Sequence, residues 1–354
     1  MITLSVCMIV KNEEDVLARC LDCVKQFADE INIVDTGSSD KTKEIAKRYT
    51  DRVFDFEWCD DFSKARNFAF SKATKTYCMW LDADDVILEE DINKLNTLKE
   101  TLDERVDIVM MKYHTGFDEY GKPTFSYYRE RWIHNFRGYT WVGVIHEVIA
   151  LYGKLQYEEI AVTHRKLHAA DPMRNIRIFE SRIKDGIQLD PREQFYYARE
   201  LYYHGRYQAA FLTFDQFLKE GKGWIENNID ACQMMGYCAY QLHDINPLTC
   251  FYRSFEYDIP RAELCCDIGR HFFDRNSYKQ AIFWYEVALS CVRDDTSGAF
   301  VKEDCYGYTP SLQLCVCWWK LGNKEKAILY NEKAASFKPN SKEVLQNREY
   351  FHKQ

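Results

Sequence analysis

The chain opens on ITLSVCMIV (2–10), a run apolar at most positions. A strand buried on both faces reads this way, because neither face meets water, and such strands belong to parallel sheets. Helical spacing follows at once: Val16, Leu17, Cys20, Leu21 and Val24 recur every three or four residues within 13–27. The two textures then alternate. INIVD (31–35), RVFDFEW (52–58) and TYCMWL (76–81) predict three more strands, and KTKEIAKRY (41–49) and FSKARNFAFSKA (62–73) predict the helices between them. A Gly-Ser-Ser-Asp turn at 37–40 offers Ser or Asp as the cap of the second helix. A helix over 91–104, with Ile92, Leu95, Leu98 and Leu102, precedes a strand at VDIVMMKY (106–113). Alternation of this kind predicts an α/β unit: an open, Rossmann-like, mostly parallel sheet with covering helices. The next sixty or so residues are aromatic-rich, with strand-like pieces near 125–133, 140–149 and 159–164.

From about residue 190 the strand patterns vanish, and Tyr, Phe, Ala and Leu recur at helical spacing. Three segments resemble one another: ELYYHGRYQAAFLTFDQFL (200–218), NSYKQAIFWYEVAL (276–289) and KLGNKEKAILYNEKAASFKP (320–339). Each places Tyr or Lys three residues before Ala, with Phe or Ala again seven further on. This resembles the second half of the tetratricopeptide unit, in which short helix pairs stack small residues against aromatics. A fourth unit near 236–256 is degenerate, and the intervals are uneven, at about 38, 33 and 46 residues. The expected organisation is an α/β domain over 1–188 and an all-α, tetratricopeptide-like repeat domain over 189–354.

Composition narrows the picture. A chain of 354 residues, 46% hydrophobic and 29% charged, with seven Pro and fifteen Gly, reads as two globular domains and not as disorder. A net charge of −8 argues against a nucleic-acid partner. No 18-residue apolar run is present, so no membrane span is expected. The first residues lack a basic leader and run into Lys11-Asn12-Glu13-Glu14, so they do not read as an export signal, and a cytoplasmic location is expected. The fourteen cysteines are then expected as reduced, buried small hydrophobes. Cys20-x-x-Cys23 sits on an amphipathic helix, and Cys265-Cys266 and Cys315-x-Cys317 lack metal-site spacing.

The chemistry gathers where strands end. In an open α/β sheet, ligands bind beyond the carboxyl ends of the strands. The first strand ends at Lys11-Asn12-Glu13-Glu14, the second at Asp35-Thr36-Gly37-Ser38-Ser39-Asp40, and the fourth at Asp82-Ala83-Asp84-Asp85. Three polar or acidic strand ends against an apolar background point to one shared pocket. Three aspartates within four residues repel one another, and a divalent cation would compensate them, since hard oxygen ligands suit Mg2+ or Mn2+ bound with phosphates. The plain alternative is an Asp-rich turn capping the following helix.

LSVCMIVKNEE (4–14), IVDTGSSDKT (33–42), DFSKARN (61–67) and MWLDADD (79–85) resemble, in order and spacing, the successive motifs of family 2 glycosyltransferases of the GT-A fold. The resemblance covers about the first half of the chain. It implies an inverting enzyme that uses a nucleotide-diphosphate sugar, UDP-sugar above all, with Mn2+ or Mg2+. Carried over by residue, Asp35 resembles the aspartate that binds the base. Asn12, with the backbone around Val10 and Glu14, lines the nucleotide site, and Arg66 resembles the basic residue near the diphosphate. Asp82, Ala83 and Asp84 form the D-x-D, with Asp84 the better metal ligand, although the assignment among Asp82, Asp84 and Asp85 stays open. The later G-x-x-H-E segment offers His146 and Glu147, with Glu147 as general base, and His164 as a further metal ligand. Each has a plain alternative as a polar residue at a strand end, and His168 reads as surface. Tyr113, Trp132, Tyr139 and Trp141 are read as an acceptor wall or as packing.

A GT-A domain followed by helical repeats is similar to the bacterial glycocin glycosyltransferases, which modify Ser or Cys of ribosomal peptides. The resemblance therefore implies a peptide or protein acceptor held by the repeats. Two other readings stay open: an enzyme building lipopolysaccharide or capsule, and a catalytically inactive repeat scaffold. Asp82-Ala-Asp84-Asp85-Val86 also fits the D-x-D-x-[TV] pattern of haloacid-dehalogenase-like phosphatases, but there it follows the first core strand and here the fourth. Solenoid ends, often apolar unless capped, leave room for a homodimer.

Overall fold

The computed structural model describes residues 1–119, 121–167 and 171–353. His168 lies outside the described residues. The chain forms two compact units, Met1–Leu189 and Asp190–Gln354.

The first unit is built on β1 (Leu4–Val10), β2 (Glu30–Asp35), β3 (Val53–Asp55), β4 (Tyr77–Trp80), β5 (Asp85–Val86), β6 (Ile108–Phe117), β7 (Pro123–His134) and β10 (Leu155–His164). These pair in the order β3-β2-β1-β4-β7-β6-β10-β5. β1, β2, β3 and β4 run parallel. β7 runs antiparallel to both β4 and β6, and β10 returns parallel to β6. A separate hairpin pairs β8 (Trp141–Val142) with β9 (Val148–Ile149). Helices α1 (Leu17–Val24), α2 (Thr42–Ala46), α3 (Phe62–Phe70), α4 (Glu89–Thr101) and α5 (Arg174–Lys184) complete the unit.

The apolar runs explain this order. Leu4, Val6 and Met8 of β1 share one core with Leu17, Leu21 and Val24 of α1, Leu95 of α4, Trp132 of β7 and Val162 of β10. β1 is therefore central, with helices burying its faces. The third strand is shorter than RVFDFEW predicts, and α5 has no counterpart in the sequence reading. Of the two readings of the aromatic residues, packing is the one that holds. Tyr113, Trp132, Tyr139 and Trp141 are all buried, because rings of this size contribute most when withdrawn from water.

The second unit is all helix: α6 (Pro191–Tyr203), α7 (Tyr207–Glu220), α8 (Ile225–Leu242), α9 (Pro247–Arg253), α10 (Ala262–Phe273), α11 (Tyr278–Ser290), α12 (Tyr308–Lys320), α13 (Lys324–Phe337) and α14 (Lys342–His352). Successive helices pack as antiparallel hairpins with small residues against rings. Gly236 of α8 faces Phe251 of α9, and Gly269 of α10 faces Tyr285 of α11, each with no room for a side chain. An added Cβ would lie 2.1 Å from the Phe251 ring and 2.7 Å from that of Tyr285. All fourteen cysteines are free thiols, and only Cys59 is exposed. Among the described residues, no helix is long and apolar enough to cross a membrane.

Candidate functional site

Parallel pairing puts the carboxyl ends of β1, β2 and β4 on one rim, with Val10 directly beside Asp35. Two loops are knitted together there. The Asn12 side chain accepts from the N–H of Ser39 at 2.8 Å, and its own N–H donates to Ser38 Oγ at 2.9 Å. Asn12 holds φ at 55°, a left-handed conformation that asparagine tolerates better than most residues. Glu14 Oε2 accepts from the N–H of Lys41 at 3.0 Å. The carbonyl of Val10 accepts from both the N–H and the hydroxyl of Thr36.

Asp35 stands at the end of β2, 2% exposed. Its Oδ1 accepts from the N–H groups of Gly37 and Ser38, at 3.0 and 2.9 Å. Its Oδ2 is buried with no hydrogen-bond partner. A buried carboxylate oxygen left unmade is costly and marks a place where a donor from outside would be welcome.

The aspartates after β4 are separated by depth. Asp85 is wholly buried. Its Oδ1 accepts from the Tyr113 hydroxyl at 2.9 Å, and its Oδ2 accepts from the N–H of Asp82 at 3.1 Å. The guanidinium of Arg131, equally buried, lies 3.5 Å from Oδ2. β5 carries Asp85 directly opposite His164 of β10. His164 Nδ1 lies 3.3 Å from Asp84 Oδ1 and 3.4 Å from Asp85 Oδ1. Hydrogen bonds to Asp84 and Asp85 lift this imidazole to about 10, against the opposing effect of burial. Ala83, between the aspartates, is buried in the core.

Asp82 is answered by Arg66. Its Oδ1 accepts from Arg66 Nη2 at 2.9 Å, while Arg66 Nε donates to Glu147 Oε1. Burial would raise the Asp82 carboxyl, but the charge and hydrogen bond of Arg66 hold it below the usual range. The DFSKARN stretch folds for this purpose. Asp61 caps α3 by accepting from the N–H of Lys64. One turn on, Arg66 bridges Asp82 and Glu147. Asn67 pairs with both the N–H and the carbonyl of Trp141, as a strand would, and so fixes the β8–β9 hairpin. That hairpin delivers Glu147 inward and leaves His146 exposed, with φ at 54°.

The structure thus gathers Arg66, Asp82 and Glu147 in one contact set and Asp84, Asp85 and His164 in another. Asp35 lies on the same rim with Asn12 and Glu14 around it. Asp84, Asp85 and His164 each present a ligand atom within 4.8 Å of the others, a set that fits a hard divalent cation. Asp84 is the accessible carboxylate, with 18% of its side chain exposed, while the Asp85 oxygens are already engaged.

Sequence reasoning missed the RER step of β7. Arg129, Arg131 and Arg66 surround the Trp80 ring, at 4.8, 3.8 and 4.7 Å from its centroid. Glu130 sits between them, paired with Arg129 at 3.0 Å. The β6–β7 register slips between Glu130 and Trp132, so Arg131 is a bulged residue, and bulges re-aim side chains beside sites. Two arginines and a glutamate inside an aromatic strand, YYRERW, are the signal that pointed there.

Residues 5–154 match the family model described as Glycosyl transferase family 2. The chain is 26% identical over 281 residues to the SPbeta prophage-derived glycosyltransferase SunS of Bacillus subtilis, covering 75% of this chain and 65% of that protein. It is 43% identical over 90 residues to a TPR repeat-containing protein of Synechococcus elongatus, covering 25% of this chain and 22% of that one. A third likeness, 33% over 86 residues, is to the lipopolysaccharide core biosynthesis glycosyltransferase LpsC of Rhizobium meliloti, covering 23% of this chain and 32% of that one. In each case the chain spans less than two thirds of the relative's own length. The likeness to SunS is longer than either compact unit, so it runs into both.

Proposed function

We propose, taking residues 5–154 as a family 2 glycosyltransferase domain, that the protein is a metal-dependent inverting glycosyltransferase. It moves a hexose from a UDP-sugar to a Ser, Thr or Cys side chain of a peptide or protein. The observation that carries this reading is the rim itself. A buried carboxylate with one oxygen unpartnered, Asp35, shares that rim with an Asp–Asp–His group of metal-ligating geometry. In this reading the free Oδ2 of Asp35 accepts an N–H of the base, and the loops tied by Asn12, Glu14 and the Val10 carbonyl keep that oxygen in place. Asp84 and His164, the imidazole giving up its proton, would hold a divalent cation, Mn2+ or Mg2+, whose charge would serve to neutralise a leaving diphosphate. Asp85, pinned by Arg131 and Tyr113, orients the turn that presents Asp84. Arg66 tethers Glu147 to the aspartate turn and supplies positive charge beside the diphosphate. Glu147, with His146 next to it, is the general base that takes the proton of the acceptor nucleophile.

The peptide acceptor is inferred from the repeat unit and from the glycocin-like order of motifs. The likeness to LpsC favours a second reading, a surface-glycan acceptor. The test is donor hydrolysis across UDP-, GDP- and dTDP-sugars with Mn2+ or with EDTA, reading free nucleotide diphosphate. Release from one donor that needs metal and fails in Asp84→Ala is the expected result. If no donor is hydrolysed and calorimetry detects no nucleotide binding, the enzyme reading falls and the scaffold reading replaces it. Assay of the active donor with peptide and with glycan acceptors then separates the two transferase readings.

A further inference from the structure

Most helices of the second unit are joined by short turns, and the longest connection stands apart. Three or four residues separate α6 from α7, α7 from α8, α10 from α11, and α12 from α13. Between α11 and α12 the chain runs from Cys291 to Gly307, relieved only by a short 3-10 turn at Glu303–Tyr306. Connections of this length without regular structure are uncommon in compact domains and are usually functional. This insertion is also the source of the long interval between the last two repeats.

The first part of the insertion is exposed, with Val292 at 88%, and the part from Gly298 onward packs back on the helices. It lies as a strap across α6, α8 and α10. Gly298, at φ +79°, packs against the Trp224 ring at the start of α8, where a Cβ would come within 2.8 Å of the ring. The Phe300 ring sits under the guanidinium of Arg199 on α6, 4.7 Å from its centroid. The N–H of Lys302 donates to Glu263 of α10 at 2.7 Å. A side-chain ladder beneath the strap joins the same helices. Arg199 pairs with Asp230 of α8 at 2.8 Å, and Tyr237 of α8 donates to Asp267 of α10 at 2.6 Å. The strap therefore docks through an aromatic ring and a backbone N–H, with the Lys302 side chain exposed beside them, on an array of the kind whose extended surface serves binding. The ladder it covers is rich in carboxylates, and the ammonium of Lys302 acts favourably on Asp230, Glu263 and Asp267.

We propose that the 291–307 connection is an intramolecular occupant of a peptide groove. The groove takes an extended peptide with an aromatic residue two positions before a basic one, and such a peptide displaces the strap. This deepens the peptide-acceptor reading and rests on it for its biological meaning, but it is tested by binding alone. Failure of sugar transfer and failure of the groove are thus told apart.

The probe is a fluorescein-labelled peptide TSGAFVKED, copying residues 296–304. Anisotropy is read with the full chain, and with a full-length chain in which 293–302 is replaced by a Gly-Ser linker of equal length. The expected result is binding at least tenfold tighter to the linker chain, and loss of at least tenfold when Phe and Lys of the probe are both Ala. Equal binding to both chains, or equal binding of the Ala probe, overturns the proposal. If circular dichroism shows the linker chain unfolded, the double variant Phe300→Ala/Lys302→Ala takes its place with the same expectation. If that chain is also unfolded, the strap is scaffold and the proposal fails.

Discussion

Two regions of this molecule bury carboxylates, and they treat them oppositely. Around Trp80 each acid meets a cation: the partly exposed Asp82 meets Arg66, and the buried Asp85 and Glu130 meet Arg131 and Arg129. Burial pushes Asp82 and Glu130 up, but the arginines overrule it and hold both below the usual range. In the helical unit, Glu226, Asp230, Glu263 and Asp267 are all raised, with burial the largest cause. Arg261, Arg199 and Lys302 only partly offset it. The first region is built to keep its carboxylates charged. The second is short of positive charge, and a basic group laid across it meets that need.

The largest effect expected from this contrast is at Arg131. Its removal by Arg131→Ala leaves the buried Asp85 with the partly exposed His164 as its nearest positive charge, a loss of about 3–5 kcal/mol. Chemical denaturation reads it, and a loss below about 1 kcal/mol would mean that the buried pair is not what holds the turn. Next comes Asp84→Ala, which should cut metal-dependent donor hydrolysis by a factor on the order of 10²–10³, because one stabiliser of the leaving charge is gone. Its melting temperature should barely move, since Asp84 is partly exposed. An unfolded Asp84→Ala would erase the proposed distinction between an orienting Asp85 and a metal-binding Asp84. A third and smaller effect has the opposite sign. Asp267→Asn keeps an acceptor for Tyr237 and Gln233 while removing a buried charge that burial already opposes, so stability should hold or rise by up to about 1 kcal/mol. A loss as large as that of Arg131→Ala would show that both regions obey one rule.

The smallest effect is a matter of pH. A raised carboxyl binds its proton more readily when folded, so its unfavourable contribution fades as pH falls toward the ordinary carboxylate range near 4. The helical unit should therefore firm up between pH 7 and about 4. A depressed carboxyl does the reverse, its stabilisation being present above its unfolded value and lost as pH falls through its folded one. Glu30 is an example in the sheet unit. Burial opposes its charge, but hydrogen bonds from Ser5, Thr74 and Asn32 bring it to about 2. The sheet unit should hold until about pH 4 and weaken below it. Hydrogen exchange resolved by unit, across this range, checks both halves. Parallel loss of protection in the two units would break the comparison.

Some of this was legible without coordinates. The all-apolar run of β1 announced a central strand, and the alternation of textures announced the covering helices. Acidic strand ends at Asp35 and Asp82–Asp85 announced the rim, because charges at the end of a buried strand need a reason. Other features were silent. YYRERW shows its charges, but not that Arg131 is aimed inward, because a bulge has no signature in a pattern of period two. The uneven spacing of the repeats was visible, but it did not reveal that the extra residues fold back over α6, α8 and α10.

By itself, then, the sequence determined the alternation of strands and helices through the first hundred or so residues, the change to an all-helical texture near residue 190, and the chemical character of the strand ends. Those follow from local periodicity and from the cost of burying charge. Which cation answers which aspartate, why Asp84 rather than Asp85 faces outward, how α3 holds the β8–β9 hairpin, and where the 291–307 strap lies were decided by tertiary structure alone. They depend on pairings across 16 to 81 residues of chain, such as Arg66 with Asp82 and with Glu147. Such contacts form only when strands that are distant in sequence become neighbours in the sheet.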